Sequence, residues 1–186
     1  DVDAQRFGRA GGNLDAAQAM FAGRRVARDT RSIRPSAARS AIFNAVLAGR
    51  VANGSWERGM TGEVWMLDGS HSVFGPQSDE DGTLAARAIA LDIHPTGPLW
   101  GSGDLRCDDA CAALEHGIAE QFRELQQGLE RAGLKQERRA LRLPVRELVA
   151  LRDSDDLRLE FFLPAGAYAT TVLHALGECV DETSRS

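Results

Sequence analysis

Two segments near opposite ends of the chain carry residue types that could grip a planar ligand. The first is Gln5-Arg6-Phe7-Gly8, followed by Gly11-Gly12-Asn13. Its glycines let a backbone approach a ligand closely. Gln5, Arg6 and Asn13 supply hydrogen-bonding groups, and Phe7 supplies an aromatic face. The second is Phe161-Phe162-Leu163-Pro164-Ala165-Gly166-Ala167-Tyr168-Ala169-Thr170, which contains the only tyrosine. Tyr168 is expected at the first turn of a helix, beside Gly166. An aromatic ring there can stack on a base, or it can pack beneath a sheet. Together the segments suggest one site built from both ends, with a separate domain strung between them.

Charge adds a third feature. The net charge is −5, which argues against a uniformly basic nucleic-acid binder. Yet Arg24, Arg25, Arg28, Arg31, Arg34 and Arg39 crowd a short stretch, opposed only by Asp29. The acids gather elsewhere, as in Asp79-Glu80-Asp81 and Asp108-Asp109. A local arginine patch on an acidic protein can hold RNA phosphates, or it can be a solvated face.

Other chemistries find less support. Cys107 and Cys111 could share a helix face, with His116 a turn further on and His94 upstream. A structural zinc site needs four ligands, and no second paired motif completes this set, so no metal is expected. Gly101-Ser102-Gly103 lacks the Gly-Lys-Ser/Thr of a phosphate loop. There is no dinucleotide fingerprint and no Gly-x-Ser-x-Gly elbow. His174 could act as a base, but on a helix of Ala, Val and Leu it reads as a polar edge residue. No small-molecule cofactor is implied.

These residues need elements to position them. An apolar content of 43% suffices for a core. No run reaches the ~18 apolar residues of a membrane span. The first residues do not read as a signal peptide, and the absence of an initiating Met suggests a start inside something longer or processing. Three cysteines without a framework fit a reducing cytosol, so the expected location is cytoplasmic. Asn13 can cap a helix over Leu14 to Ala22. Ser36 can cap a second over Ala37 to Val51, with Ala38, Ile42, Ala45, Val46 and Gly49 on one face. Strands are expected on either side of Asp68-Gly69-Ser70, then a helix near Leu84 to Ile89. Ile93 to Gly103 reads as a Pro/Gly-rich loop. A long helix over Asp109 to Arg131, with Leu114, Ile118, Phe122 and Leu125 on its stripe, ends at Gly133. Strands at Arg138 to Leu143 and Leu157 to Leu163 precede a final helix, Ala167 to Leu176. This order is α+β.

Four blocks resemble, in order, those of the tRNA pseudouridine synthase D family. They are Gln5-Arg6-Phe7-Gly8 with Gly12-Asn13; Ser36-Ala37-Ala38-Arg39-Ser40-Ala41-Ile42-Phe43-Asn44; His94-Pro95-Thr96-Gly97-Pro98-Leu99-Trp100-Gly101; and Phe162 to Thr170. The resemblance implies an enzyme that isomerises uridine-13 in the D arm of tRNA to pseudouridine, without a cofactor. It implies a mixed-sheet catalytic domain interrupted by an inserted α/β domain peculiar to the family, the TRUD domain. By that likeness residues 1–26 and 142–186 are parts of the catalytic domain and 27–141 the insertion. tRNA is the implied partner, with Gln5, Arg6, Phe7, Asn13, Gly166 and Tyr168 near the substrate.

The departures count too. The family's nucleophilic aspartate sits in a Gly-x-Lys-Asp type motif upstream of Gln-Arg-Phe-Gly, and no such motif occurs here. Asp1, Val2 and Asp3 stand where the family has Tyr, Phe and Gly. The expectation is therefore a C-terminal part of the enzyme, inactive alone. The alternatives are a non-catalytic RNA-binding module using the Arg24–Arg39 patch, and a plain interaction domain.

Overall fold

The computed structural model describes residues 33–154, 156–164, 167 and 169–177. The first helix, α1, runs Ile33–Ala52, four residues longer at its start than Ser36 capping implied. Pro35 lies in its first turn, where a missing N–H costs nothing. Ala38, Ile42 and Val46 are buried, the four-residue spacing of a single helix face. The helix ends at a turn, Asn53-Gly54, where Gly54 has φ +72°.

Two short strands follow, β1 (Trp65–Leu67) and β2 (Val73–Phe74), paired antiparallel around the expected turn at Asp68 to Ser70. Helix α2 spans Thr83–Ile89. The acidic loop before it has a structural use. Asp79 accepts from the N–H groups of Leu84 (2.6 Å) and Ala85 (2.9 Å), and Asp81 from that of Thr83 (3.0 Å). The carboxylates thus cap the donors that a helix start leaves unpaired. Asp81 is held below its ordinary pKa by this hydrogen bond from Thr83.

The Pro/Gly-rich segment is a strand and not the expected loop. β3 (Ile93–Leu99) is central in a four-stranded sheet of order β2-β1-β3-β4, with β4 at Glu137–Ala140. Prolines are ordinarily confined to sheet edges. Here the strand divides its pairing: residues 93–95 pair with β1 and residues 96–99 with β4. Each half therefore has a free side. Side chains and loops serve those sides: Leu141 N–H reaches Pro95 O at 2.9 Å, and the Glu63 carboxylate accepts from Thr96 N–H at 3.3 Å.

The single long helix expected after it is broken into α3 (Asp109–Ala119), a 3₁₀ turn (Glu120–Phe122) and α4 (Arg123–Arg131). The buried positions explain the break. They are Cys111, Glu115 and Ala119, then Leu125, Gly128 and Leu129. One continuous α-helix would turn Leu125 away from the face of Ala119. Three residues at the tighter 3₁₀ pitch add roughly 60° and restore the phase. Gly133, at φ +76°, ends α4 as expected.

Val64 joins the core formed with Ala38, Ile42, Trp100, Leu105, Cys111, Leu125 and Leu129. The next residue, Trp65, joins a second cluster with Leu84, Ala88 and Ile93. Adjacent residues feed opposite faces, as the two-residue period of extended chain requires. The sheet is therefore covered by α1, α3 and α4 on one side and by α2 on the other.

Beyond Leu141 the chain forms a separate two-stranded sheet, β5 (Arg146–Asp153) and β6 (Asp156–Phe162). β5 was not expected. Every residue of it is exposed, so no core-facing alternation marks it. Leu148, Leu151, Leu157 and Phe162 are about half exposed or more. Helix α5 (Ala169–Leu176) closes the described chain.

Candidate functional site

Two of the sequence blocks meet in space. Arg39, on the second turn of α1, donates from Nε to Trp100 O (3.0 Å) and from Nη2 to Leu99 O (3.0 Å) and Lys135 O (2.5 Å). The same guanidinium pairs with Glu137 at 3.1 Å. It thus sews the start of α1 to the end of β3 and the approach to β4. Beside it opens a cavity of about 280 Å³, lined by Pro35, Ser36, Arg39, Ser40, Leu99, Leu134 and Arg139. Arg139 lies over the Phe43 ring, 5.4 Å from its centre. Two arginines and two serines are among the lining residues.

Of the residues picked from sequence, Gln5, Arg6, Phe7, Asn13, Arg24, Arg25, Arg28, Arg31, Gly166 and Tyr168 lie outside the described residues. Arg34 is in the first turn of α1. Arg39 is described, and its donors are engaged by the fold as above. His94 is on β3 with both ring nitrogens used: Nε2 lies 2.9 Å from Asp68 Oδ1, and Nδ1 accepts from Arg142 Nε at 3.1 Å. His116 stands edge-on to Trp100, ring centres 6.3 Å apart.

The core also holds a buried charge network that sequence reasoning missed. Arg138 gives both arms to Glu115, each at 2.7 Å, and donates further to Thr96 O, Thr96 Oγ1 and Leu105 O. Their side chains are 1% and 0% exposed. Arg50, fully buried, pairs with Glu63 and donates to Ser55 and to the Cys111 sulfur. Burial pushes the Glu63 carboxyl above its ordinary pKa, against the lowering pull of Arg50. Burial alone would depress Arg138, but the hydrogen bonds and charge of Glu115 outweigh it and raise the pKa. A signal was available. Arg50 follows Val46, and Glu115 sits between Cys111 and Ala119, so each charge occupies an apolar helix face at i+4 spacing. Such a charge requires a buried partner.

The Cys107, Cys111 and Glu115 donor atoms lie within 4.8 Å of one another. The Cys107 and Cys111 thiols both donate to Glu115, at 3.3 and 3.6 Å. The Cys111 pKa is raised by its hydrogen bond with Cys107, then by burial and the nearby carboxylates. Both Glu115 oxygens are taken by Arg138, and a second guanidinium abuts Cys111. The donor set is a closed ion-pair network whose two cations oppose a third. No helix among the described residues is long and apolar enough to cross a membrane.

Comparison with known proteins bears on what this framework serves. The family model for tRNA pseudouridine synthase D (TruD) matches residues 14–176. A protein of Xanthomonas euvesicatoria named tRNA pseudouridine synthase D is 52% identical over 195 residues, covering 95% of this chain and 53% of that protein. A protein of the same name from Methylococcus capsulatus is 49% identical, covering 94% and 50%. The chain thus spans about half the length of the curated relatives it matches. A crystal structure from Methanosarcina mazei, also described as a tRNA pseudouridine synthase D, superposes with a TM-score of 0.60 over 94% of this chain and 44% of that one. At 19% identity that likeness speaks for the fold.

Proposed function

The chain belongs to the tRNA pseudouridine synthase D family, and from that premise we propose that it supplies the RNA-positioning half of an enzyme converting uridine-13 of the tRNA D arm to pseudouridine. The observation that carries the reading is the family match over residues 14–176. The fold and the blocks Ser36–Asn44 and His94–Gly101 are consistent with it.

Chemistry on a paired or stacked base requires extruding that base. A carboxylate nucleophile then lets the glycosidic bond break, the uracil rotate, and the bond reform through carbon. That carboxylate belongs to the Gly-x-Lys-Asp motif, which this sequence does not contain. What this chain offers is binding and orientation. Tyr168 stacks on the uracil while it turns, and Gly166 lets the backbone come close. Gln5, Arg6, Phe7 and Asn13 complete that wall. Arg24, Arg25, Arg28, Arg31 and Arg34 hold phosphates without reading sequence. Arg39 acts one step back, fixing the helix start from which they lead. Residues 27–141 form the inserted TRUD domain and the flanks belong to the catalytic domain. No metal or small-molecule cofactor takes part, and the site of action is the cytoplasm.

The test is tritium release from tRNA labelled at uracil C5, since isomerisation frees that hydrogen. The full-length protein bearing this sequence should release label in proportion to enzyme, and the 186-residue chain should not. No release by the full-length protein would overturn the reading.

A further inference from the structure

The two sheets among the described residues are joined by a short connection, and the polar contacts around it converge on one point. The chain leaves β4, passes Leu141 to Val145, and starts β5 at Arg146. Among the described residues the β5–β6 hairpin packs closely against no other element. Its orientation relative to the four-stranded sheet therefore rests on the connection and the ties across it.

Arg142, on the connection, turns back into the four-stranded part. It donates to Ile93 O (2.9 Å), Ala88 O (2.5 Å), Glu57 O (3.0 Å) and His94 Nδ1 (3.1 Å). Because Nδ1 accepts from Arg142, the His94 proton sits on Nε2 and donates to Asp68 Oδ1 at 2.9 Å. The other Asp68 oxygen pairs with Arg146, the first residue of β5. A planar guanidinium, a buried imidazole and a carboxylate thus form a relay from the connection through β3 and the β1–β2 turn to the hairpin base.

The hairpin base matters because of its pairing. Arg146 pairs directly with Phe162, the last residue of β6, and an irregularity at 147–148 separates that pair from the rest of the ladder. Phe162 opens the block that leads through Pro164 to Gly166 and Tyr168. Fixing Arg146 fixes the point from which that block departs.

We propose that Asp68, His94, Arg142 and Arg146 are positioning residues: a latch that presets the angle between the TRUD insertion and the flank carrying Tyr168, so that one tRNA engages both without reorganisation. The proposal rests on the function proposed above. A preset angle spares the cost of ordering two bodies on binding. Loosening it weakens productive engagement, while the flank's own chemistry stays intact once both bodies are seated.

The experiment is steady-state kinetics of the full-length protein on a D-arm tRNA transcript, comparing Arg146→Ala, Asp68→Asn, Arg142→Lys and the charge swap Asp68→Arg with Arg146→Asp. Arg146→Ala and Asp68→Asn should raise KM about two- to five-fold, the range an exposed ion pair supports, with kcat held within about two-fold. Arg142→Lys should raise KM more, because an ammonium cannot span the acceptors of a planar fork. The charge swap should not recover the Arg146→Ala loss, because an arginine at 68 cannot accept from His94 Nε2. Unchanged KM in Arg146→Ala and Arg142→Lys overturns the latch, as does a fall in kcat at constant KM. An inactive unmodified protein overturns the functional reading instead, so the two failures are distinguishable.

Discussion

Replacing Arg138 by Met removes the cation from one of the two buried Arg–Glu pairs among the described residues. Glu115, 0% exposed, would keep only two thiol donors at 3.3 and 3.6 Å. Leu105 O and Thr96 O would lose their guanidinium donors, at 3.1 and 2.9 Å. Breaking a buried pair by removing one partner costs about 3–5 kcal/mol, because a buried charge is left uncompensated. Set against a typical total of about 5–15 kcal/mol, that is roughly a fifth of the stability or more. With a urea slope of about 2 kcal/mol/M, the unfolding midpoint should fall by roughly 2 M. Trp65 and Trp100 are both buried, so tryptophan fluorescence follows the transition. Glu115→Gln leaves Arg138 as the uncompensated charge and should cost a similar amount. The double variant should cost less than the sum of the singles by about 2 kcal/mol or more, since removing the second charge relieves the first. A coupling below about 1 kcal/mol, the level of exposed pairs, would refute the claim that this network is a desolvated pair holding β4 to α3.

The glycines of the β3 block give a second prediction. A Cβ on Gly101 would lie 2.4 Å from Lys135 C and 2.5 Å from Leu134 O, both backbone atoms. Gly101→Ala should therefore cost about 2–3 kcal/mol as overpacking. Gly117→Ala, with nothing within 4 Å on α3, should gain about 0.5–1 kcal/mol in helix propensity; thermal unfolding of both variants checks the ranking. In the full-length protein, Tyr168→Ala should slow single-turnover isomerisation roughly five-fold or more, from the ~1–3 kcal/mol of a base stack. Filter-binding affinity for tRNA should stay nearly intact and Tyr168→Phe should keep most activity, whereas parental turnover by Tyr168→Ala would reassign the ring to the core.

Helices were legible where burial is one-sided and periodic, as with Ala38, Ile42 and Val46 on α1. The β1–β2 hairpin was legible because Asp68-Gly69-Ser70 marks its turn. The β3 strand was not, because Pro95 and Pro98 forbid ordinary pairing on both sides. Only the three-dimensional arrangement reveals that each half pairs with a different neighbour. The break after Ala119 was hidden because Leu125 and Phe122 fit a helical stripe if Glu115 is ignored. Treating Glu115 as a core position, from its place between Cys111 and Ala119, would have exposed both the re-phasing and the ion pair. β5 left no trace, since nothing described covers Leu148, Val149 or Leu151. The candidate site divides likewise. Blocks recognisable by residue type were found, but the contact between Arg39 and the end of β3 joins residues some 60 positions apart.

The central claim is that this chain serves a synthase acting at one uridine of the tRNA D arm. Carbodiimide treatment followed by reverse transcription reads pseudouridine position by position. tRNA incubated with the full-length protein should give a new stop at the position reporting uridine-13 and at no other uridine, and tRNA incubated with this chain alone should give none. A stop elsewhere in the tRNA, or no stop with the full-length protein, would contradict the account.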